Sequence, residues 1–195
     1  MGNHDHRFTK YMIQKAPELL DIPDEQKFYM NYSIGGAGRD LDVGKAAIEE
    51  DFQSVKEFVD DHIGQSDVSI LCVSGGGGTG AGAASTMVGL LNGLGRPVIV
   101  LYVLPGSSDD SQSKHNAIKT LAELAELASK QAINSLILVD NAKIEAAYPQ
   151  LSQAVFWKTA NSAIVDPLHM FNSVTAKPTD YEALDSMDFA KSLLE

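Results

Sequence analysis

The chain has 195 residues, 44% of them hydrophobic, which is enough for one globular domain with a buried core. Its net charge of −11, with no stretch rich in Lys or Arg, disfavours direct binding to nucleic acid. The single cysteine, Cys72, excludes a disulfide within the chain and fits a reducing cytoplasm. No apolar run is long enough for a signal core or a membrane span. Because Cys72 lies within an apolar run, it is predicted to be buried.

The first 26 residues form a polar segment in which no strand is predicted. Two histidines near its start, His4 and His6, are expected to be solvated rather than metal ligands. A first strand is predicted over Lys27 to Tyr32, where β-branched and aromatic residues gather. The turn that follows, Ile34-Gly-Gly-Ala-Gly-Arg-Asp40, is rich in glycine and leads into a helix, so it is well placed to contact a phosphate.

Apolar residues at helical spacing from Val43 to Ile63 predict a helix whose other face is acidic. A second strand is predicted over Val68 to Ser74, and a helix over Thr79 to Leu94. Between them lies a loop of small residues, Ser74-Gly-Gly-Gly-Gly-Thr-Gly-Ala-Gly82. The backbone of such a loop can approach an anion closely, with several N–H groups and the positive end of the next helix pointing at it. The loop therefore predicts a phosphate ligand.

Three kinds of phosphate loop compete for this segment. A Walker loop needs a Gly-Lys-Ser/Thr ending, and no lysine follows here. A dinucleotide fingerprint fits only Gly75, Gly77 and Gly80, and the acidic residue expected after the next strand is missing because residues 98–104 are apolar. The tubulin signature, Gly-Gly-Gly-Thr-Gly-(Ser/Ala/Thr)-Gly, matches Gly76 to Gly82 at every position. A glycine-rich turn that binds nothing would lose conformational entropy on ordering without an evident gain in packing.

Two more strands with polar loops follow. The third strand, Pro97 to Leu104, leads into the loop Pro105 to Ser113 and then a helical pattern from Lys114 to Ala132. The fourth strand, Ser135 to Val139, is followed by Asp140-Asn141-Ala-Lys143. Strands that alternate with helices predict an α/β fold, a Rossmann-like parallel sheet flanked by helices. Ligands of such sheets bind beyond the carboxyl ends of the strands, where these loops lie.

A longer helical pattern runs from Gln150 to about Asn172. It contains Asp166-Pro167, where a kink or a break is expected because proline lacks an N–H and clashes with the preceding turn. After it come a predicted loop, Ala176 to Asp180, and a short amphipathic stretch that ends at Leu194.

The signature loop and the order of the elements resemble the GTP-binding domain of the tubulin/FtsZ superfamily, from about Ser33 to Leu194. Ile34 to Gly44 looks like the family's γ-phosphate-sensing loop, and Leu138-Val-Asp-Asn-Ala-Lys143 resembles its Pro-Asn-Asp-Lys segment. The bacterial plasmid and phage branch, of TubZ and PhuZ type, looks closer than cell-division FtsZ. The resemblance implies a GTPase that uses GTP with magnesium. The nucleotide-binding residues that it implies are Gly35, Gly36, Ala37, Gly38, Gly76, Gly77, Gly78, Thr79, Gly80, Ala81, Gly82, Asn141 and Asn161.

The two asparagines would contact the guanine base, because an amide side chain can complement both its donors and its acceptor. Asn141 follows the fourth strand, and Asn161 falls where the family's central helix presents a second base contact. Each asparagine alone is also typical of a turn or a helix cap.

The resemblance also implies the catalytic residues. In this family, acidic residues of the neighbouring subunit position the attacking water, and Asp185-Ser-Met-Asp188 matches that loop in place and spacing. Asp188 is expected nearest the water, with Asp185 assisting. A second register would put Lys191 at the catalytic position and argue against hydrolysis, and Asp185 also fits an N-cap. Because the acids act in trans, the implied partner is a second copy of the chain, stacked head to tail into a filament.

The implied domains are the polar segment 1–26, a nucleotide-binding α/β domain at 27–172 that includes the start of the central helix, and a catalytic-loop region at 173–195. The family's first strand, with its phosphate loop, and its C-terminal domain are not found, so a fragment or a trimmed relative is expected. The implied function is a GTPase filament that positions plasmid or phage DNA through a DNA-binding adaptor protein. Two alternatives stay open: a nucleotide-binding module without hydrolysis, and a Rossmann-type dinucleotide enzyme.

Overall fold

The computed structural model of the chain describes residues 12–14, 23–30, 36–63 and 66–176. Two units make up the chain: Lys10–Ala142 contains all the described strands, and the described residues from Lys143 onward belong to the other. The elements in chain order are β1 (Met12–Gln14), a 3-10 turn (Asp24–Gln26), β2 (Lys27–Tyr29), α1 (Leu41–Glu50), α2 (Phe52–Ile63), β3 (Ser69–Ser74), α3 (Thr79–Asn92), β4 (Val98–Leu104), α4 (Ser111–Ser129), β5 (Ser135–Asp140), α5 (Asn141–Ala147) and α6 (Gln153–Ala176).

The larger sheet is parallel, with strand order β3-β4-β5. Its register pairs Cys72 with Leu101 and Leu101 with Ile137. The central strand, β4, is apolar throughout, and its residues from Val98 to Tyr102 are at most 7% exposed. Such a run is typical of a strand that is covered on both faces. The parallel sheet flanked by helices that the sequence predicts is therefore confirmed, with strand boundaries within one or two residues of those expected.

A smaller parallel sheet pairs β1 with β2, so that Met12 lies opposite Lys27 and Gln14 opposite Tyr29. The sequence predicts β2 but no strand before it. Three residues, Met-Ile-Gln, are too few to show the alternation by which a strand is recognised. The structure therefore adds a strand to a segment that is distinguished in the sequence only by its polarity.

An apolar cluster of described residues packs the helices of the Lys10–Ala142 unit against the larger sheet. Fully burying a Leu, Ile or Val side chain contributes roughly 1.5–3 kcal/mol, so these contacts fix the helices firmly. The cluster includes Ala47, Ile48, Val55, Val59, Ala84, Val88, Leu91, Val100, Tyr102 and Leu124.

The first turns of α1 and α3 approach each other through two glycines. A Cβ on Gly44 of α1 would overlap the carbonyl oxygen of Gly78, and a Cβ on Gly82 of α3 would overlap the carbonyl oxygen of Leu41. Glycine inside a helix costs about 1 kcal/mol relative to alanine, but here it permits contact between backbones. The turn before α1 is thereby brought onto the loop before α3.

The helical pattern from Val43 to Ile63 is two helices rather than one. Asp51, which lies between α1 and α2, has φ −93° and ψ 13°, outside the helical region. Its N–H still bonds to the carbonyl of Ala47, and the next helix begins at once, so the apolar spacing continues across the break. Periodicity alone does not detect such a break.

Of the kink or break expected at Pro167, the break is wrong, because α6 continues through the proline from Gln153 to Ala176. A proline removes only one hydrogen bond from the ladder, and a helix of 24 residues retains the others. No helix in the described part of the chain is both long enough and apolar enough to cross a membrane.

Cys72 is exposed, so the expectation that it is buried is wrong. It lies on β3, which pairs only with β4 among the described strands. Its side chain points to the opposite face from Val73, which is 5% exposed and belongs to the apolar cluster. An apolar run in the sequence does not tell which strand lies at the edge of a sheet.

Candidate phosphate-binding site

The glycine loop connects the carboxyl end of β3 to the first turn of α3. The N–H of Gly75 donates to the carbonyl of Val103, 2.9 Å away, so the loop begins as a continuation of the sheet. The helix begins at Thr79, and Gly78, its N-cap, has no side chain with which to cap it. The first N–H groups of a helix have no partner within the helix and carry its positive end. This loop therefore presents donors suited to an anion.

Two glycines of the loop are required by packing. A Cβ on Gly75 would overlap the hydroxyl of Tyr102, and a Cβ on Gly78 would lie 2.7 Å from the backbone N and O of Asp40. Real Cβ atoms essentially never come that close to other heavy atoms. Gly75 thus fits the loop against β4, and Gly78 fits it against the turn before α1.

Two other glycines have no such reason to be glycine. No described atom lies within 4 Å of a Cβ built on Gly77 or on Gly80, and neither residue has a positive φ. Gly76 is intermediate, since its Cβ would lie 3.2 Å from the Cβ of Ser113. Gly77 and Gly80 therefore leave open space in front of the backbone, as a closely approaching ligand requires.

The turn before α1 forms the second wall. Gly36, Gly38 and Arg39 all have positive φ, at 41°, 57° and 65°. The N–H of Asp40 donates to the carbonyl of Ala37, and the buried Ala37 side chain lies beside Gly78. Only glycine adopts these angles without strain, which explains two of the glycines in the sequence.

Asp40 ends the turn and starts the helix. One carboxylate oxygen, Oδ1, accepts from the backbone N–H groups of Asp42 and Val43, at 2.9 and 3.3 Å. This is an N-cap, the arrangement that aspartate favours at the start of a helix. The cap fixes the direction in which the turn leaves the helix, and so fixes the turn against the glycine loop.

The first half of α4 forms a third wall. The Asn116 amide donates to the carbonyl of Arg39, 2.7 Å away, and the Arg39 guanidinium forms an ion pair with Asp110. Asp110 is also the N-cap of α4, since its Oδ1 accepts from the N–H of Ser113 at 2.8 Å. The turn and α4 border an open cleft of about 460 Å³, lined by Gly38, Arg39, Asp40, Leu41, Asp42, Gln112, His115, Asn116 and Lys119.

Tyr102 supports the loop from below. Its side chain is fully buried, and its hydroxyl donates to the carbonyl of Ala117 at 2.8 Å. Burial raises the pKa of Tyr102 to about 12, although a hydrogen bond with Thr120 acts in the opposite direction. The hydroxyl therefore stays neutral at any physiological pH and holds the position against which Gly75 packs.

The predicted site residues have different outcomes. Gly36, Ala37, Gly38 and the segment Gly76–Gly82 come together at one edge of the sheet. Asn141 is the first residue of α5 and is 8% exposed; it follows β5, whose carboxyl end lies at the same edge. Asn161 is exposed on α6, in the other unit, and its role stays a prediction. Gly35, Asp185 and Asp188 lie outside the described residues.

Sequence reasoning missed three residues that hold the site: Gly44, Asp110 and Asn116. Gly44 gave a signal, because a glycine inside a predicted helix often marks a close backbone approach. Asp110 gave a weaker one, as an aspartate just before a helix is a typical N-cap. Asn116 gave none, since its partner, the carbonyl of Arg39, is 77 residues away in the chain.

A comparison with protein families matches residues 20–149 to the model described as "Tubulin/FtsZ family, GTPase domain". Among curated proteins, the chain is 27% identical over 180 residues to the tubulin-like protein TubZ of Bacillus cereus, covering 89% of the chain and 41% of TubZ. It is 24% identical over 178 residues to cell division protein FtsZ 1 of Methanocaldococcus jannaschii, covering 90% of the chain and 45% of the relative. The chain thus spans less than half the length of these curated relatives.

Solved structures share the fold. A GTPγS-form protofilament of TubZ from Bacillus thuringiensis serovar israelensis superposes with a TM-score of 0.78 at 20% identity, covering 95% of this chain and 54% of that one. The GDP-bound monomer of CetZ1 from Haloferax volcanii gives a TM-score of 0.75 at 24% identity, covering 94% and 54%. At these identities the similarity is one of fold.

Proposed function

The chain belongs to the tubulin/FtsZ family through its GTPase domain, and we propose that it binds GTP between the glycine loop and the turn before α1. The observation that carries this proposal is the division among the glycines. Gly75 and Gly78 are needed for packing, whereas Gly77 and Gly80 face open space. A loop selected only for packing would not need the second pair, but a loop that cradles a phosphate would.

The phosphates would be bound mainly by backbone N–H groups from Gly77 to Gly80 and by the hydroxyl of Thr79. The turn Gly36 to Gly38 would contact the terminal phosphate. Among the described residues no group of three or more His, Cys, Asp and Glu side chains could form a protein cage for a metal. Magnesium would arrive with the nucleotide, because it is usually held by phosphate oxygens, waters and few protein ligands. The ion would neutralise charge that develops on the phosphates.

Guanine would be recognised by Asn141 and Asn161. Guanine presents N–H donors and a carbonyl acceptor on one edge, and an amide can pair with both kinds of group. The burial of Asn141 favours selectivity, since a buried polar group left unpaired by the wrong base is penalised by about 1–3 kcal/mol.

Hydrolysis would take place between subunits. Water attacks the γ-phosphorus of GTP, the bond to the β-phosphate oxygen breaks, and GDP and inorganic phosphate leave. Asp188 of a neighbouring copy would orient the water, with Asp185 assisting, while the loop stabilises the phosphate charge. Subunits stacked head to tail would thus couple filament assembly to hydrolysis. The similarity to TubZ, solved as a protofilament and as a two-stranded filament, supports this part of the proposal.

The biological role would be the positioning of plasmid or phage DNA. The resemblance of Val139–Lys143 and of the run Asn161–Leu168 to the TubZ-type proteins of plasmids supports this role. A chain with a net charge of −11 is poorly suited to neutralising DNA phosphates, so a DNA-binding adaptor protein would connect the filament to its cargo.

Nucleotide choice is tested by competition. Fluorescent GTP bound to the purified chain should be displaced by GTP at much lower concentrations than by ATP or NAD. Displacement by NAD at equal or lower concentrations would instead support a dinucleotide enzyme.

Assembly and hydrolysis are tested by light scattering and phosphate release after GTP is added. Phosphate release should be lost with Asp188→Ala, which removes the group that orients the water. It should be retained with Asp61→Ala, which removes an exposed carboxylate on α2. GTP binding without turnover or scattering would leave the chain a nucleotide-binding module and refute the hydrolysis proposal.

A further inference from the structure

Arg39 is a residue other than glycine in a backbone conformation that glycine favours, which suggests that its side chain has a function. Its φ of 65° is uncommon for a residue with a side chain, and glycine would adopt it without strain. The two neighbouring positive-φ positions, Gly36 and Gly38, are glycine. The third position instead carries the longest cationic side chain available, next to Asp40, whose backbone contacts Gly78 of the glycine loop.

A hydrogen bond holds the backbone of Arg39, whereas its side chain is half exposed and paired only at the surface. The Asn116 amide holds its carbonyl oxygen at 2.7 Å. The guanidinium pairs with Asp110, and the two side chains are 55% and 46% exposed. Exposed ion pairs contribute little free energy, so this one opens readily. A guanidinium so placed can exchange a carboxylate for a more highly charged partner.

Of the two arginines among the described residues, Arg39 and Arg96, Arg39 lines the cleft between the turn and α4. Its cleft also carries Lys119 and His115, together with the carboxylates of Asp40 and Asp42. Asp40 already uses an oxygen to cap α1. Guanidinium binds phosphate through two parallel hydrogen bonds, which makes the interaction stronger and more directional than that of a point charge.

We propose that Arg39 is a specificity-determining residue that binds the terminal phosphate of a nucleoside triphosphate, and that Asp110 competes with that phosphate for its guanidinium. This inference rests on the proposed binding of GTP at the glycine loop. A diphosphate lacks the group that would displace Asp110, so the pair makes the site prefer GTP to GDP. Asp110 sets the size of the preference, because a weaker competitor leaves more of the arginine for the nucleotide.

The test is the affinity of four proteins for GTP and for GDP, by calorimetry with the full chain. Arg39→Gln keeps the backbone strain and removes the charge. It should weaken GTP binding by about tenfold or more, because a hydrogen bond between charged groups is lost. GDP binding should change less than twofold, because GDP lacks the terminal phosphate. Arg39→Lys should recover part of the preference. Asp110→Asn keeps an oxygen for the cap of α4 and should strengthen GTP binding a fewfold.

The outcomes separate this inference from the proposed function. If the wild-type chain binds neither nucleotide, both fail. If the wild-type chain binds both nucleotides and Arg39→Gln lowers both affinities equally, Arg39 has a structural role. If both affinities stay unchanged, its side chain takes no part in binding. Either result overturns this inference alone. A loss of GTP affinity in Asp110→Asn would also overturn it. Should Arg39→Gln not fold, Arg39→Gly removes the side chain while suiting the backbone, and the same loss of GTP preference is expected.

Discussion

Gly78 and Asp40 meet backbone to backbone: a Cβ on Gly78 would lie 2.7 Å from both the N and the O of Asp40. This contact joins the glycine loop to the turn before α1, and Gly44 and Gly82 continue it along the two helices. Since the two segments form two walls of the candidate phosphate site, the geometry of the site depends on a position where no side chain fits.

Gly78→Ala should therefore destabilise the fold. Overpacking against backbone that cannot yield costs about 1–3 kcal/mol in the free energy of unfolding. Urea denaturation would measure this change. The control is Gly89→Ala, in the helix that Gly78 precedes, where no described atom lies within 4 Å of the new Cβ. That variant should be about 0.5–1 kcal/mol more stable than wild type, and equal stability of the two variants would contradict the contact.

Asp40→Ala should lower the free energy of unfolding by about 1 kcal/mol, because α1 loses the side chain that caps its first N–H groups. Asp40→Asn retains a capping oxygen and should lose much less. Chemical denaturation of both variants would distinguish the cap from the charge. If the two substitutions are equally destabilising, it is the negative charge rather than the cap that matters.

The raised pKa of Tyr102 predicts that the protein loses stability in alkaline solution. Its pKa is raised from 10.0 to about 12 by burial, so the folded state disfavours the phenolate. Below pH 10 the Tyr102 hydroxyl is protonated in both the folded and the unfolded state, so it adds no pH dependence. As the pH rises from 10 through about 12, the hydroxyl ionises only in the unfolded state, and the free energy of unfolding falls.

Tyr102→Phe isolates this effect, since every other titrating group is shared with wild type. Urea unfolding of both proteins should give a constant stability difference up to about pH 9.5, and above it the wild type should lose stability relative to the variant. A difference that stays constant up to about pH 11 would mean that the hydroxyl ionises as easily in the folded state as in the unfolded one.

Asn141→Ala should reduce the preference for GTP over ATP. Loss of one hydrogen bond to the base corresponds to about 1 kcal/mol, or roughly fivefold in the ratio of the two affinities. Asn92→Ala, at the exposed end of α3, is the matched control and should leave the ratio unchanged. An unchanged ratio in Asn141→Ala would assign the buried amide to the structure of α5 instead.

The sequence was sufficient for the sheet, because β4 is an unbroken apolar run and glycine-rich or polar loops follow each of its neighbours. It was sufficient for the glycine loop too, since a run of such small residues between a strand and a helix is typical of an anion cradle. It could not divide the glycines into packing and ligand-facing positions, because Tyr102 and Asp40, which decide this, are far away in the chain. Nor could it find the bond from Asn116 to Arg39, which depends on how α4 packs. The break at Asp51 was missed because the apolar spacing continues across it. The helix continues through Pro167 because the loss of one hydrogen bond does not interrupt a helix of 24 residues.

The central claim, that the glycine loop binds the phosphates of GTP, is tested most directly by Gly77→Ala. Its new methyl group meets no described atom, so the unfolding midpoint should stay at the wild-type value. Calorimetric titration with GTP should give saturable binding to the wild-type chain and to Gly89→Ala, and at least about tenfold weaker binding to Gly77→Ala, because the methyl group stands where the phosphate approaches. Wild-type affinity in Gly77→Ala, or no saturable binding by the wild-type chain, would contradict the claim.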